Sequence, residues 1–148
     1  GVMRIEKGHA AGNELNGTTS ALNLGMGGMV SKKKDSIGST LSEREGMNRP
    51  DALELVGFKP VDKANPLTAG SHFINKDTEA NAANDQGYMT SVAYSPHLEC
   101  SVALGFLKNG GARKGEILRA VNPLKNSEVM VEVVSPHFID PEGERLRA

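Results

Sequence analysis

The sequence has a single cysteine, Cys100, so no disulfide can form within these 148 residues. This favours a reducing compartment, and we expect a cytoplasmic protein. No apolar run approaches the roughly 20 residues that a membrane-spanning helix needs, and the N-terminus lacks the pattern of a secretory signal peptide. The sequence therefore predicts no membrane partner.

The chain also lacks an excess of charge of either sign. Its 17 basic and 18 acidic residues give a formal net charge of −1 at pH 7. Proteins that bind nucleic acid usually carry a basic patch or stripe, because they must neutralise phosphates. The composition therefore predicts no nucleic-acid partner.

Closely spaced metal ligands are missing as well. The four histidines are His9, His72, His97 and His137. None of them is four residues from another, and the cysteine has no second thiol nearby, whereas structural zinc sites use short ligand spacings. Asp140, Glu142 and Glu144 alternate like part of a calcium loop, but the remaining ligands are absent. We expect no metal site.

Two candidate nucleophiles, Ser95 and Cys100, lie near His97 in the sequence. Side chains at nearby positions of a strand or turn point in different directions, so this spacing is weak support for a nucleophile–base hydrogen bond. No G-x-S-x-G pattern is present. We expect Ser95 to be structural and Cys100 to fill a small apolar space, and we assign no catalytic residue.

The glycine-rich stretch at residues 24–30 has only a partial likeness to a phosphate-binding loop. The G-x-G-x-x-G pattern fails because Val30 stands in the place of the last glycine, and no Lys-Ser/Thr pair follows. Close backbone packing or a kinked strand is the better interpretation of these glycines.

From residue 51 onward, six short segments rich in β-branched, aromatic or other apolar residues alternate with turn formers. The predicted strands are 52–58, 71–75, 86–92, 101–108, 115–121 and 128–135. An apolar content of 38% with 17 glycines also favours a mostly β fold with some α. The pattern predicts a compact barrel or sandwich.

Helix-breaking residues at 48–51 separate this region from a differently patterned N-terminal part. We predict two parts, residues 1–48 and 49–148. The chain opens inside apparent secondary structure without an initiator methionine, so we expect it to be the carboxyl part of a longer polypeptide.

Several irregular regions are also predictable. Residues 1–8 are typical of a helix end, with Gly8 just after the last turn, and residues 39–45 are typical of a helix closed by Gly46. Residues 76–85 suit a polar surface loop, and the tail at 135–145 suits an extended segment on a surface.

Glu6 and the lysine run at 32–34 are the remaining candidates for ligand binding. A carboxylate near a helix end can accept two parallel N–H bonds from a planar heterocycle, and lysines can meet the anionic tail of the same ligand. Taken alone, a glutamate like Glu6 is more often an exposed helix acid, and such a lysine run is usually a solvated turn.

Several motifs of the sequence resemble the folate-binding family of glycine-cleavage aminomethyltransferases, the T-proteins. These motifs are RIEKGH at 4–9, G-x-E-L-x-G-T-T at 12–19, LVG at 55–57, GYMTS at 87–91, Y-S-P-x-L at 94–98 and VALG at 102–105. They extend over nearly the whole chain in the family's order.

Within that family, the sequence is most similar to the carboxyl-terminal part of the α subunits of heterotetrameric sarcosine oxidases. The similarity is carried by residues 4–9, by KKDSIG at 33–38 and by the ending SPHFIDPEGER at 135–145. T-proteins usually end differently. Dimethylglycine-type oxidases share part of the pattern.

The resemblance implies a six-stranded C-terminal barrel at 49–148, preceded at 1–48 by the end of an α/β folate-binding domain. It implies tetrahydrofolate as the bound cofactor, with Glu6 matching a carboxylate that hydrogen-bonds the pterin ring. Lys33 falls where the family often has an arginine contacting the folate tail. Because a lysine lacks the planar fork of arginine, that correspondence is looser.

The implied activity is transfer of an oxidised N-methyl carbon to tetrahydrofolate, which yields 5,10-methylenetetrahydrofolate. Flavin and NAD sites are expected in other regions or subunits, and the implied partners are the upstream part of the same subunit and the other oxidase subunits. The family's catalytic aspartate has no counterpart in these residues, so we expect this piece alone to be inactive. The alternatives are a T-protein fragment that acts on a lipoyl-carried aminomethyl group, or a noncatalytic interaction module of the same fold.

Overall fold

The computed structural model describes every residue from Gly1 to Ala148. Its six strands are β1 (Leu53–Pro60), β2 (His72–Asn75), β3 (Asp85–Ser95), β4 (Cys100–Lys108), β5 (Ile117–Asn122) and β6 (Ser127–Val134). They form a closed barrel in the order β1-β4-β3-β2-β5-β6, and every neighbouring pair is antiparallel. The six predicted strands are confirmed. Of the two predicted architectures, a barrel or a sandwich, the structure has the barrel.

Three short helices accompany the barrel: α1 (Val2–Lys7), α2 (Ser39–Ser42) and α3 (Glu144–Arg147). The helix predicted at the start of the chain is confirmed, and Gly8 ends it in the left-handed conformation with φ 75°. The predicted helix at 39–45 is shorter than expected and ends at Ser42. Its single large apolar residue, Leu41, is half exposed, so this turn of helix lacks the packing that stabilises longer helices.

The end of β3 also differs from the prediction. The sequence pattern placed the end of this strand at Val92, but pairing with β4 continues through Tyr94 to Ser95, which lies opposite Cys100. Serine and proline at 95–96 are turn formers. They fix where the four-residue turn begins, and the strand continues up to it.

The barrel interior is filled by one apolar cluster. Its largest members, Phe58 and Phe73, stack with ring centroids 3.9 Å apart. The complete cluster is Val56, Phe58, Leu67, Phe73, Met89, Ala103, Leu107, Leu118, Ala120, Val131 and Val133. Every strand of the barrel contributes to it, as closure of a small barrel requires.

A second apolar cluster lies on the outside of β1 and β4. It comprises Ile5, Leu55, Cys100, Val102, Leu104 and Phe106. Strand β4 is therefore buried on both faces, which explains its continuous apolar sequence. Ile5 shows that α1 covers part of this outer face, and Phe138 of the tail packs against the same cluster.

The tail crosses this outer face in an extended conformation, as predicted, and then ends in α3. The backbone N–H groups of Phe138 and Ile139 both donate to the carbonyl oxygen of Glu6, at 2.9 and 3.1 Å. A Cβ atom on Gly57 would collide with the carbonyl oxygen of Ser135 and the ring of Phe138, so the tail can approach β1 only over a glycine. The polar segment predicted at 76–85 is a surface loop over residues 76–84, and Asp85 already begins β3. None of the helices is long and apolar enough to cross a membrane.

Candidate functional site

The side chain of Glu6 lies between the barrel and the tail. Its Oε1 atom accepts a hydrogen bond from the hydroxyl of Ser95, with the two oxygens 2.5 Å apart. Ser95 is fully buried and also accepts from the backbone N–H of Leu98 at 3.1 Å. Ser95 therefore ties the β3–β4 turn to α1, and the prediction of a structural role for this serine is confirmed.

An open concavity of about 470 Å³ lies beside Glu6. Its lining comes from α1, the tail and α3, and consists of Met3, Arg4, Glu6, Lys7, His9, Ile139, Asp140, Arg145 and Leu146. The volume is within the range of small-molecule sites, about 300–1,000 Å³. Ser95 uses only one oxygen of the carboxylate, so Oε2 is available to a donor outside the chain.

Asp140 and Lys7 form the wall of this concavity on the tail side. The ammonium of Lys7 donates to the carbonyl oxygen of Asp140 and lies 3.4 Å from its Oδ2 atom. Asp140 Oδ1 in turn accepts from the backbone N–H of Glu144 at 2.8 Å. Burial opposes ionisation of Asp140, but the N–H groups of Arg145 and Glu144 and the charge of Lys7 outweigh it and lower its pKa. Asp140 thus anchors the start of α3, which is a structural role rather than part of a calcium loop.

The most enclosed charged group of the chain is Glu14, which the sequence did not single out. Its side chain is completely inaccessible to solvent. The hydroxyls of Thr90 and Ser91 both donate to Oε1 at 2.5 Å, while Oε2 accepts from the N–H of Ala11 at 3.0 Å and from Arg4 at 3.3 Å. Every part of the buried carboxylate is therefore hydrogen-bonded, as burial of a charge requires.

A β-bulge allows Thr90 and Ser91 to reach the same carboxylate. Adjacent side chains of a regular strand point to opposite faces. The pairing of β3 with β4 shifts between Met89 and Ser91, which leaves Thr90 as the extra residue. Such a bulge re-aims a side chain, so two consecutive hydroxyls converge on one oxygen. Arg4 completes the network by donating to Ser91 Oγ at 2.8 Å.

The electrostatics of Glu14 follow from these contacts. Burial alone would raise the pKa of this carboxyl group, but hydrogen bonds from Ser91, Thr90 and Ala11 and the charge of Arg4 outweigh it. The pKa of Glu14 is consequently held below its ordinary value of 4.5. The carboxylate is ionised in neutral solution and fastens the region after α1 to strand β3.

Lys33 lies apart from the Glu6 concavity and is not among its lining residues. It belongs to an exposed loop at 31–38, where its backbone N–H donates to Ser31 Oγ at 3.2 Å. Within these residues the structure does not bring Glu6 and Lys33 together. Binding of one folate molecule by both residues stays a prediction.

Two of the four histidines make polar contacts within the chain. His72 pairs with Asp85 at 2.9 Å on the barrel surface, and His137 Nδ1 lies 2.8 Å from the carbonyl oxygen of Lys7. No group of three or more histidine, cysteine, aspartate or glutamate side chains is arranged to hold a metal ion. His72 and His137 therefore serve local contacts at the surface.

Comparison with known proteins places this arrangement in a family. Residues 54–140, more than half of the chain, match the glycine cleavage T-protein C-terminal barrel domain. The chain belongs to this T-protein barrel family.

Nearly the whole chain is also similar in sequence to two enzyme α subunits. The chain is 42% identical over 98% of its length to sarcosine oxidase subunit alpha of Rhizobium meliloti (strain 1021). It is 35% identical over 97% of its length to sarcosine oxidase subunit alpha of Corynebacterium sp. (strain U-96). In both cases it spans 15% of the relative. The resemblance predicted from the sequence is therefore confirmed.

The chain is also similar to aminomethyltransferases, both in sequence and in fold. The chain is 27% identical over 86% of its length to aminomethyltransferase of Thermosipho melanesiensis, of which it spans 32%. The crystal structure of glycine cleavage system aminomethyltransferase T from Bartonella henselae superposes with a TM-score of 0.74 at 21% identity. That superposition covers 93% of this chain and 37% of the other, and it establishes the shared fold.

Sequence reasoning proposed Glu6 as a ligand contact but missed the groups that surround it. The Glu14 network could be predicted only if the β3 bulge were known, and no residue pattern in the sequence predicts that bulge. The G-x-E-L and GYMTS motifs indicate the family, but neither shows that Glu14 contacts Thr90, which lies 76 residues away along the chain. The division at 48/49 stays a prediction, since the family match begins within β1.

Proposed function

We propose that this chain is the C-terminal part of a sarcosine oxidase α subunit and contributes to folate-dependent one-carbon transfer. The observation that carries the proposal is the 42% identity to such a subunit over 98% of the chain. Identity to aminomethyltransferases is lower, at 27% and 32% for two of them. In the full complex, an oxidised N-methyl carbon would be transferred to tetrahydrofolate to give 5,10-methylenetetrahydrofolate.

The role of this chain in that reaction is binding and orientation. Glu6 is held in place through Ser95 and through the tail N–H groups on its carbonyl oxygen. Its free Oε2 can accept a hydrogen bond from a pterin N–H group at the concavity. Tetrahydrofolate supplies the nitrogens that take up the carbon, and the concavity is large enough for a ring of this size. Lys33 is proposed as a contact for the folate carboxylates from its exposed loop.

The test compares Glu6→Ala with Ser95→Ala in the full-length complex, with tetrahydrofolate binding measured by calorimetry. Both variants lose the Glu6–Ser95 hydrogen bond, but only Glu6→Ala loses the carboxylate. Because a hydrogen bond to a charged group contributes about 1.5–3 kcal/mol, Glu6→Ala is expected to weaken binding roughly 10- to 150-fold. Ser95→Ala is expected to change it by less than about threefold.

Equal weakening by both variants would contradict the assignment, since Glu6 would then act only by attaching α1 to the barrel. Lys33→Ala is expected to weaken binding less than Glu6→Ala, because a solvated lysine contact contributes little. An unchanged affinity for Glu6→Ala would remove this residue from the site altogether.

An aminomethyltransferase acting on a lipoyl-carried group is the second candidate, favoured by the T-protein barrel match. Copurification distinguishes the two. Association with a flavin-containing subunit supports the oxidase, and activity that depends on a lipoyl protein supports the transferase. A protein that shows neither of these properties and does not bind folate would be a noncatalytic interaction module.

A further inference from the structure

A small hollow lies on the outside of the barrel, on the side away from α1. Phe73 and Ala120 belong to the interior cluster. Because adjacent side chains of a strand point to opposite faces, their neighbours His72, Ile74 and Val121 point outward. Strands β2 and β5, which carry them, lie opposite β1 and β4 in the ring of six. We call this hollow the β2 niche, and it shares no lining residue with the concavity between α1 and the tail.

The β2 niche is apolar over most of its lining and small. Ile74 points outward and is nevertheless only 3% exposed, so residues outside the barrel wall cover it. The volume is about 280 Å³, and the lining is His72, Ile74, Ala80, Asn81, Ala82, Asp85, Val121 and Pro123. Sites for drug-sized ligands have about 300–1,000 Å³, so the niche suits a compound of only a few heavy atoms.

The loop between β2 and β3 forms one side of the niche and is held by hydrogen bonds within the chain. Asn81 Oδ1 accepts from the backbone N–H of Asn84 at 3.0 Å, and the Asn84 amide donates to the carbonyl oxygen of Glu79 at 2.8 Å. Arg119 of β5 donates to the carbonyl oxygen of Thr78 at 2.7 Å. The niche is therefore preformed, and a ligand need not order the loop when it binds.

His72 gives the niche a free hydrogen-bonding group. Its Nδ1 atom lies 2.9 Å from Oδ2 of Asp85, and an ionised carboxylate can only accept, so Nδ1 carries a proton. In the neutral ring Nε2 is then an acceptor, and no hydrogen bond within the chain uses it. The other oxygen of Asp85 accepts from the backbone N–H of Gly87 at 3.0 Å, which fixes the carboxylate and, through it, the imidazole.

The charge at the niche is negative. Asp85 is the only carboxylate among the lining residues, and they include no lysine or arginine. The nearby cations have other partners, since Lys108 donates to the backbone carbonyl of Asp85 and Arg119 pairs with Glu128. A ligand with a positive charge and an N–H donor would complement both the carboxylate and the free Nε2 atom.

We propose that the β2 niche binds a small organic amine, with a protonated amino group on a short apolar body. The amino group donates to Nε2 of His72 beside the carboxylate of Asp85, and the apolar body contacts Ile74 and Val121. This inference goes beyond the proposed function, because it involves neither folate nor Glu6.

Three probes of nearly the same shape test the chemistry: isobutylamine, isobutanol and isobutyrate. Each is titrated into the full-length protein with labelled isoleucine methyl groups, and the methyl signal of Ile74, identified by its loss in Ile74→Val, reports binding. At about pH 8.5 free imidazole is neutral. The amine is expected to bind with a dissociation constant on the order of 1 mM, the alcohol roughly fivefold more weakly because it lacks the charge, and the acid not measurably.

Substitutions at the two polar residues locate the contact. His72→Phe keeps a ring but removes both nitrogens, and it is expected to weaken binding of the amine at least about fivefold. Asp85→Asn removes the charge and is expected to abolish the preference for the amine over the alcohol. His97→Phe is the matched control, because His97 is an exposed histidine outside the niche, and it should bind the amine like the native protein.

Equal affinity for all three probes would overturn the proposal, since the niche would then be an unselective apolar hollow. A preference for the acid would also overturn it, as would unchanged affinity for the amine in His72→Phe. The probe series needs no variant, so it decides the question even where a substitution disturbs the pairing of β2 with β3. Because no step uses folate, failure here leaves the Glu6 assignment untouched.

Discussion

Glu14 shows how a single residue can join two parts of this chain. Its carboxylate is fully buried and binds donors from Arg4 at the start of the chain and from Thr90 and Ser91 in β3. A buried charge is tolerated only when its partners are complete, and removal of one partner leaves the others unsatisfied. The network therefore holds α1, and with it Glu6, at a defined position on the barrel.

The first residue-scale prediction concerns pH. The folded pKa of Glu14 is lower than its ordinary value of 4.5, so ionisation of Glu14 stabilises the fold above that pH. This contribution is expected to fall away as pH drops below 4.5 through the lower, folded pKa. Glu14→Gln should lower stability by about 1–3 kcal/mol at pH 7, and its difference from the native protein should shrink in acid.

Native-state hydrogen exchange of the β4 amides, followed from pH 7 downward, measures this difference. Glu43→Gln serves as the control, because Glu43 is an exposed glutamate in the turn after α2. A difference that stays constant across the pH range would show that the shape of Glu14, rather than its charge, stabilises the network.

Among the elements, the tail at 135–145 is held by close backbone contacts with both β1 and α1. It crosses β1 and contacts α1 through two N–H bonds to Glu6, and α3 then forms part of the Glu6 concavity. The approach is possible because Gly57 has no side chain. A strand glycine often marks a place where another backbone comes close.

Gly57→Ala is expected to displace the tail, since the added Cβ atom would overlap the carbonyl oxygen of Ser135. Overpacking of this kind typically costs about 1–3 kcal/mol. Faster hydrogen exchange at the amides of Phe138 and Ile139 would report the displacement. Gly17→Ala is the matched control, because a Cβ atom there meets nothing within 4 Å. Equal exchange in both variants would show that the tail does not depend on this close approach.

At the scale of the whole molecule, the closed barrel carries most of the apolar packing. Its interior cluster draws on every strand, and the stacked pair Phe58 and Phe73 is wholly buried. Residues outside the barrel add to the outer cluster on β4, but residues 15–52 contribute no buried hydrophobic side chain. Stability is therefore expected to depend on the interior far more than on residues 15–52.

Phe73→Ala tests this distribution. Truncating a fully buried phenylalanine leaves a cavity and costs about 3–5 kcal/mol. Leu124→Ala removes a fully exposed side chain and should change stability by no more than about 0.5 kcal/mol. Hydrogen exchange of the β4 amides in both variants gives the two values, and a small loss for Phe73→Ala would mean that the interior does not dominate.

The sequence alone determined the six strands and the helix that ends at Gly8, because alternating apolar residues and turn formers are local signals. Motif order also determined the family. Only the tertiary structure decided that β3 bulges at Thr90, that Glu14 is buried and that Ser95 holds Glu6. The bulge is a shift in the pairing of β3 with β4, and the Glu14 and Ser95 contacts join residues 76 to 89 positions apart. A local pattern cannot specify which distant groups will meet.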